Sequence, residues 1–343
     1  MKNKLLRLGA YSFSHLCVDL CCALLVLPAA RSSGRSALVF LLYNYCAFAL
    51  QMPIGLWADR LNRNAVLAAA GCLLVALAAP LHAFPILTAI VAGLGNACFH
   101  VGGGVDVLND SGDKAAFLGV FVSPGALGLY LGGLLSRTKL PLPLIAALVM
   151  LLCAGLTAWT AAHTGVLRKS ENAPFSLRGT GSFDVILSAL CLFLVVVLRS
   201  FVGMTGNFAW KSGGFALLAT LMLVLGKTLG GFAMDRIGGR LTSLLTLLPA
   251  AVLYFLADNP FAGLGAILLF NMTMPVTLSA LARKMPGSKG FSFGLLTCAL
   301  FLGVIPTILG LAGSSPSWLL SALCVLSVLL MLPGLGGRDE NGR

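Results

Sequence analysis

Five ionisable side chains lie inside long apolar runs of this sequence: His15, Asp19, His100, Arg199 and Lys227. If these runs cross a bilayer, each such group costs about 2.5–3.5 kcal/mol or more at the bilayer centre, so such groups usually serve a function. Histidine and aspartate can exchange protons, whereas arginine and lysine bind anions. The sequence therefore offers proton transfer and anion binding within a membrane.

The spacing of the titratable residues indicates which of them act together. His15 and Asp19 are four residues apart and share one face of a helix, and Asn96 and His100 repeat that spacing. Asp19 lies about three turns into its run, near mid-membrane by the ~1.5 Å rise per residue. We predict that His15, Asp19 and His100 carry the coupling protons.

The two bases both lie in the second half of the chain, and no acid lies deep within the apolar runs of that half. We therefore predict that Arg199 meets a negative group of the substrate. In the alternative, Asp19 forms a structural ion pair with Arg199 or Lys227. The side chains assigned to substrate binding are Arg199, Lys227, Asn96, Asn271 and Gln51.

The composition is that of a membrane protein. Of 343 residues, 58% are hydrophobic and only 10% are charged, with a mean hydropathy of +0.97. Twelve apolar runs are each of roughly the length that a spanning helix needs. They cover residues 9–30, 36–58, 65–81, 84–106, 114–136, 140–163, 183–204, 213–234, 240–257, 260–282, 289–312 and 315–333.

Several functional classes receive no support from the sequence. No basic stretch is interleaved with exposed aromatic residues, so we expect no nucleic-acid partner. No nucleophile, acid and base occur together in an enzyme-like constellation, so we predict neither an enzyme nor a bound cofactor. The ten cysteines form no C-x-x-C pair, and no resident metal site is predicted.

The basic residues predict the orientation in the membrane. With both termini in the cytoplasm, the outside segments hold only five of the 23 lysines and arginines, namely Arg31, Arg35, Arg137, Lys139 and Lys211. Most of the others, including the C-terminal Arg338 and Arg343, fall in inside segments. Because cytoplasmic loops are enriched in bases, the net charge of +12 is explained by topology in a bacterial-type inner membrane.

An internal repeat relates the two halves of the chain. Gly55, Asp59 and Arg60 recur as Gly231, Asp235 and Arg236, 176 residues later. We predict an N-terminal half of residues 1–163, a cytoplasmic linker of 164–182 and a C-terminal half of 183–343. The repeated loops are predicted to gate a conformational change through Gly55, Asp59, Arg60, Arg63, Asp106, Gly231, Asp235, Arg236 and Arg240.

These loops resemble the signature loop of the major facilitator superfamily, G-x-x-x-D-R-x-G-R-[RK]. Asn62 replaces the glycine and Asn64 the last base of the first copy, and Gly239 stands where the second copy would carry arginine. The resemblance implies an all-α membrane protein with twelve transmembrane helices in two pseudo-symmetric six-helix bundles. It also implies a substrate site between the bundles and alternating access.

A narrower resemblance is to the fosmidomycin-resistance branch of that superfamily. It is carried by Ser14-His15-Leu16-x-x-Asp19, Gly93-x-Gly95-x-x-x-Phe99-His100 and Met285-Pro286-Gly287, and by Arg199 in the seventh run. It implies drug efflux in exchange for protons, with an anionic phosphonate as substrate. Val101-Gly102-Gly103-Gly104 stands where that branch has Pro-Glu, and this chain is shorter.

The fifth run carries Gly119, Pro124, Gly125 and Gly128 and resembles the glycine-proline motif of superfamily antiporters, with Ser123 and Leu127 in place of glycines. A packing kink is the alternative interpretation, because proline removes a backbone hydrogen bond.

Three acids near the cytoplasmic end of the fourth run are predicted to bind the nearby loop bases Arg60 or Arg63, with a calcium site as the alternative. These acids are Asp106, Asp110 and Asp113.

Together these features predict a proton-coupled secondary active transporter, an efflux antiporter of a small anionic or amphipathic solute that acts as a monomer. Its partners are a small-molecule substrate, protons and the lipid bilayer. Two alternatives remain open: a divalent-metal transporter that uses His15, Asp19 and His100, and a non-transporting receptor on the same scaffold.

Overall fold

The structure, a computed structural model, describes residues 1–336, which form helices joined by short turns and loops and by one longer connection over residues 165–182. Arg338 and Arg343, which the topology prediction counts as cytoplasmic, lie outside the described residues. Within residues 1–336, eleven helices are long and apolar enough to cross a membrane, and a twelfth apolar helix has 17 residues. The predicted all-α membrane fold with twelve apolar helices is therefore confirmed.

We number the helices in chain order. The first six are α1 (Lys2–Ser32), α2 (Ser36–Leu61), α3 (Asn64–Leu81), α4 (Pro85–Asp110), α5 (Ala115–Leu135) and α6 (Leu142–Thr164). The last six are α7 (Phe183–Thr205), α8 (Gly213–Ile237), α9 (Gly239–Phe255), α10 (Pro260–Lys284), α11 (Pro286–Ile308) and α12 (Ser317–Gly334).

Three of these helices are irregular. The backbone of α5 breaks between Ser123 and Pro124, where the proline lacks the N–H that would continue the helix. One turn of α2, Tyr45–Ala49, is a π-helix, and α10 is interrupted at Met272. Each irregularity lies within the depth of the predicted span, where membrane proteins tolerate it only if neighbouring groups satisfy the backbone.

Both repeated loops turn at a residue with positive φ, but the two turns differ. Asn62 ends α2 with φ of 54° and ψ of 43°, and Gly238, 176 residues later, follows α8 with φ of 81° and ψ of 160°. Asparagine is among the side chains that tolerate the left-handed angles of Asn62, whereas the angles of Gly238 are open essentially to glycine alone. The departure of the first loop from the signature glycine therefore accompanies a different turn.

The described residues group into two compact units. The first contains Met1–Gly112, Pro124–Phe175 and Gly287–Cys298, so that α1 packs on α4, α6 and the second half of α5. The second contains Asp113–Ser123, Ser176–Pro286 and the chain from Ala299 onward, and in it α9 packs on α12 and α8 packs on α10 and the first half of α5. Helices α5 and α11 each contribute a segment to both units.

Candidate functional site

A ladder of polar side chains joins α1 to α4 inside the first unit. Its rungs are four residue pairs in antiparallel order, and we call the set the polar ladder. The pairs are Arg7 with Asp110, Tyr11 with Asp106, His15 with His100, and Asp19 with Asn96.

The sequence builds this ladder through simple helical periodicity. Arg7, Tyr11, His15 and Asp19 follow one another at intervals of four residues, so they form one stripe along α1. The facing residues of α4 follow one another at intervals of four, six and four residues. Since neither stripe can face lipid without a large cost, the two stripes satisfy each other.

Two pairs of the polar ladder, His15 with His100 and Asp19 with Asn96, form one titratable cluster. The Nε2 atoms of His15 and His100 are 2.7 Å apart, and the Asp19 carboxylate lies 3.3 Å from Nε2 of His15 and 3.8 Å from Nε2 of His100. Asn96 donates from Nδ2 to Oδ1 of Asp19 at 2.9 Å. The structure thus brings together the three predicted proton carriers and one residue predicted to bind substrate.

The tautomer of His100 follows from its own backbone. Its Nδ1 lies 2.9 Å from the carbonyl oxygen of Asn96, which can only accept, so Nδ1 carries the proton. The neutral ring then presents an unprotonated Nε2 to His15. The short contact between the two rings therefore requires a single proton between the two Nε2 atoms.

Helix α5 packs closely against this cluster through a glycine. A Cβ built on Gly125 would lie 2.3 Å from Nε2 of His15 and 2.4 Å from Oδ2 of Asp19. One turn further, a Cβ on Gly128 would lie 2.1 Å from the carbonyl oxygen of Leu16. These two glycines of the predicted α5 motif allow the helix to touch α1, whereas Gly119 closely approaches the Lys227 backbone in the second unit.

The other two pairs of the polar ladder, Arg7 with Asp110 and Tyr11 with Asp106, are buried. Arg7 donates from Nε to Oδ2 of Asp110 at 2.6 Å, and Tyr11 donates to Oδ2 of Asp106 at 2.7 Å. Asn64 donates to the other oxygen of Asp106 at 2.9 Å. Asp106 thus belongs to the ladder that binds α1 to α4.

The prediction that these acids bind Arg60 or Arg63 is wrong for Asp106 and Asp110. Their partners come from α1, because Arg7 and Tyr11 lie on the stripe that faces α4. The guanidinium of Arg60 instead lies 4.9 Å from the centre of the Phe175 ring, and Arg63 is exposed. Arg7 precedes the predicted run of residues 9–30, but it lies within α1, which begins at Lys2.

The two repeated acids make equivalent contacts, which we call the carboxylate clasps. Asp59 accepts hydrogen bonds from the backbone N–H groups of Gly290 and Phe291, each at 2.8 Å. Asp235 accepts from those of Ala115 and Ala116 at 2.7 and 3.0 Å. Each carboxylate therefore binds the N-terminus of a helix, where unpaired N–H groups and the helix dipole favour a negative charge.

The repeated glycines explain how each clasp closes. A Cβ on Gly55 would lie 2.0 Å from the carbonyl oxygen of Gly290, and one on Gly231 would lie 2.6 Å from that of Ala115. The predicted loop bases Arg236 and Arg240 are exposed beside the second clasp. The repeat detected in the sequence is thus also a repeat of contacts.

Replacing Gly55 with alanine is expected to destabilise the first clasp. The added methyl group overlaps backbone rather than a flexible side chain, and such overpacking costs about 1–3 kcal/mol. We expect a lower Tm of the purified protein in detergent. The control is Gly155→Ala in α6, where nothing lies within 4 Å of the added Cβ, and a Tm as high for Gly55→Ala as for this control would contradict the prediction.

A cavity of about 170 Å³ lies in the second unit and holds two predicted substrate residues, Arg199 and Asn271. Arg199 is 6% exposed, and its Nη1 lies 3.4 Å from the hydroxyl of Thr277. Among residues 1–336, no carboxylate lies within 4 Å of its guanidinium. A buried charge with so few partners is well suited to bind an anion.

The cavity also holds a second base, which was not predicted from the sequence. Lys211, predicted to be an outside loop charge, also lines it, and burial lowers the pKa of its ammonium group. The side chain donates to the carbonyl oxygen of Gly206 at 3.2 Å. Its position between two spans was visible in the sequence, but its burial was not.

The remaining two predicted substrate residues lie elsewhere. Lys227 donates to the carbonyl oxygen of Val122 at 3.3 Å, at the break in α5. Gln51 is fully buried in the first unit and donates to the carbonyl oxygen of Ala47 at 2.5 Å. Neither side chain lines the cavity of Arg199.

Comparisons with known proteins show the fold. No protein-family model matches the chain, and no curated protein matches its sequence. Solved structures do match along nearly the whole length. The human organic anion transporter TETRAN has a TM-score of 0.66 at 17% identity, over 95% of this chain and 99% of that one. A variant of the E. coli fucose:proton symporter has a TM-score of 0.63 at 12% identity, over 97% and 98%.

The symporter of that variant, FucP, is also solved as a major facilitator superfamily transporter in the outward conformation, and this structure has a TM-score of 0.61 at 13% identity, over 95% of this chain and 98% of that one. All three structures are of transporters. With twelve apolar helices, two carboxylate clasps at equivalent positions and these full-length matches, the chain has the fold of the major facilitator superfamily.

Proposed function

We propose that this chain is a proton-coupled secondary active transporter that moves a small anionic solute by alternating access, as an efflux antiporter. The observation that carries the proposal is the buried cluster of His15, Asp19 and His100. Ionisable side chains at this depth are expensive, and proton relays in membrane transporters are built from such groups.

The geometry of the cluster suits reversible protonation. Because the two Nε2 atoms are only 2.7 Å apart, they can share one proton but not accommodate two. A second proton must bind outside that contact, at Asp19 or at Nδ1 of His15, or else force the rings apart. Protonation of Asp19 or separation of the rings would alter the contact between α1 and α4, which is what coupling a proton to a conformational change requires.

The buried base in the second unit supports an anionic substrate. Arg199 and Lys211 line one cavity, and an anion there would supply the negative charge that Arg199 otherwise lacks among the described residues. One structural neighbour is an organic anion transporter and another is a proton symporter. These names agree with the proposed solute class and coupling ion.

The carboxylate clasps support a gating role for the repeated loops. Each clasp joins an acid to a helix N-terminus through two hydrogen bonds. The clasp can open when these hydrogen bonds break, because no covalent or metal bond holds it. Such contacts are suited to hold one conformation and release it. We propose this role for Asp59 and Asp235, with Gly55 and Gly231 permitting the approach.

Further parts of the proposal concern topology and substrate. We propose an inner-membrane monomer with both termini in the cytoplasm, halves of 1–163 and 183–343, and a cytoplasmic linker. We also propose a drug-resistance role like that of the fosmidomycin-resistance branch, with a phosphonate as substrate. Labelling of a single cysteine at Glu171 by a membrane-impermeant reagent from outside intact cells would contradict the topology.

Transport can be tested with purified protein in liposomes that contain a pH-sensitive dye. We expect some members of a panel of small phosphonates and carboxylates to drive proton flux, and an imposed pH gradient to drive their uptake. The matched control for each anion is its neutral ester, which should produce no flux. Failure of every anion to move protons, or equal flux with the esters, would contradict the proposal.

A further inference from the structure

We propose that His15, Asp19 and His100 form a binding site for a divalent transition-metal ion of the Zn²⁺ type. The sequence predicted no resident metal but left open a divalent-metal transporter that uses these residues, and the proposed function assigns them only to protons. Within residues 1–336 they are the one group of three or more His, Cys, Asp or Glu side chains whose donor atoms all lie within 4.8 Å of one another.

The distances between the donor atoms fit a small metal ion. Ligands at about 2.0–2.1 Å from a tetrahedral metal stand roughly 3.3–3.4 Å apart. The two Nε2 atoms are 2.7 Å apart, and the Asp19 carboxylate approaches His15 to 3.3 Å through Oδ2 and His100 to 3.8 Å through Oδ1. With one donor atom from each residue, all three donors lie within 4.8 Å of one another. Rotation of the two imidazole rings and of the carboxylate can bring them to the separation of a tetrahedral site.

The hydrogen bonds around the cluster orient it for metal binding. The carbonyl oxygen of Asn96 holds the Nδ1 proton of His100, which leaves Nε2 free of a proton and turned towards His15 and Asp19. The side chain of Asn96 donates to Asp19 and fixes the carboxylate. A metal-binding histidine typically donates its other ring N–H in this way, and its carboxylate neighbour is itself hydrogen-bonded.

The donor set selects the class of metal. Two imidazole nitrogens and one carboxylate suit Zn²⁺, Co²⁺, Ni²⁺ or Cu²⁺ rather than Mg²⁺ or Ca²⁺, which prefer oxygen ligands. The side chain of Asp19 is 22% exposed, so a water molecule or solute can reach the cluster from its side. The site therefore has three protein ligands and an open position.

Metal and protons would compete for the same atoms, because a metal displaces the protons of its ligands. The polar groups around the cluster are the side chain of Asn96 on α4, the hydroxyl of Tyr43 on α2 and the thiol of Cys22 on α1. A bound metal would hold α1 to α4 and block proton exchange. Inhibition of transport by Zn²⁺ rests on the proposed function, but metal binding itself does not.

The experiment is a titration of the purified full-length protein in detergent with Co²⁺ alone, followed by its visible absorption. We expect one equivalent to bind with the intense bands of a four- or five-coordinate site and Zn²⁺ to displace it. His15→Gln, His100→Gln and Asp19→Asn should each weaken binding by at least about tenfold. The control is His82→Gln combined with His163→Gln, two exposed histidines outside the cluster, which should leave binding unchanged.

A second measurement needs no variant. Electron paramagnetic resonance of Cu²⁺ bound to the parent protein should show two coordinating imidazole nitrogens. Absence of Co²⁺ binding, its loss in the control, or its persistence in all three cluster variants would overturn the proposal, as would a Cu²⁺ spectrum without imidazole. Because no ion gradient is used, these outcomes are independent of whether the protein transports an anion.

Discussion

Asp19→Asn is expected to abolish transport driven by a pH gradient while the protein still folds and binds its solute. The substitution keeps the shape of the side chain and the oxygen that accepts from Asn96, but it removes the carboxylate to which we assign the coupling proton. Loss of a positioned acid–base group costs about a hundredfold or more in rate. The measurement is proton-driven flux in liposomes, with solute binding followed separately in detergent.

His15→Gln is expected to reduce pH-driven transport less than Asp19→Asn does. His15→Gln leaves Asp19 and His100 in place, so we expect slower transport and a shifted pH profile rather than complete loss. The matched control is His163→Gln, because that side chain is exposed and outside the cluster. Full pH-driven transport by Asp19→Asn would show that Asp19 is structural and that the proposed coupling is wrong.

Arg199→Ala is expected to weaken binding of the transported anion strongly. A hydrogen bond to a charged group contributes about 1.5–3 kcal/mol, or roughly a 10- to 100-fold change in Kd. Arg199→Lys should retain part of the affinity, because it preserves the charge but loses the planar fork of donors. Binding of the phosphonate or carboxylate that gives the largest flux should be measured by calorimetry in detergent.

Two controls distinguish anion recognition from a general loss of structure. Arg178→Ala removes an exposed base and should leave the Kd of the anion unchanged. The Tm of Arg199→Ala should not fall below that of the parent, because the substitution removes a buried charge that lacks a carboxylate partner among residues 1–336. An unchanged Kd in Arg199→Ala would contradict the assignment of this residue to the anion.

The fold was largely predictable because its main determinants are local. Apolar runs of spanning length identify helices directly, and the repeat of Gly55 and Asp59 as Gly231 and Asp235 corresponds to matching contacts in the structure. The break of α5 occurs at Pro124, as the sequence indicated. The start of α1 was predicted too late because the run of residues 9–30 was defined by apolar residues, whereas the helix begins at Lys2 and includes Arg7.

The site was predictable only where spacing along one helix determines it. The interval between His15 and Asp19 places both on one face, and the same interval joins Asn96 to His100. Spacing does not reveal which face of another helix lies opposite, so Asp106 and Asp110 were assigned the wrong partners. The burial of Lys211 was missed for a related reason, because it depends on packing between segments distant in sequence.

The polar ladder also has a consequence for how the protein enters the membrane during synthesis. Four polar side chains stand on one stripe of α1, and their partners on α4 are translated more than seventy residues later. Until α4 arrives, that stripe would face lipid at about 2.5–3.5 kcal/mol for each charged group near the bilayer centre. We therefore expect α1 to remain beside the insertion machinery while α2 and α3 are made, and to pass into lipid only together with α4.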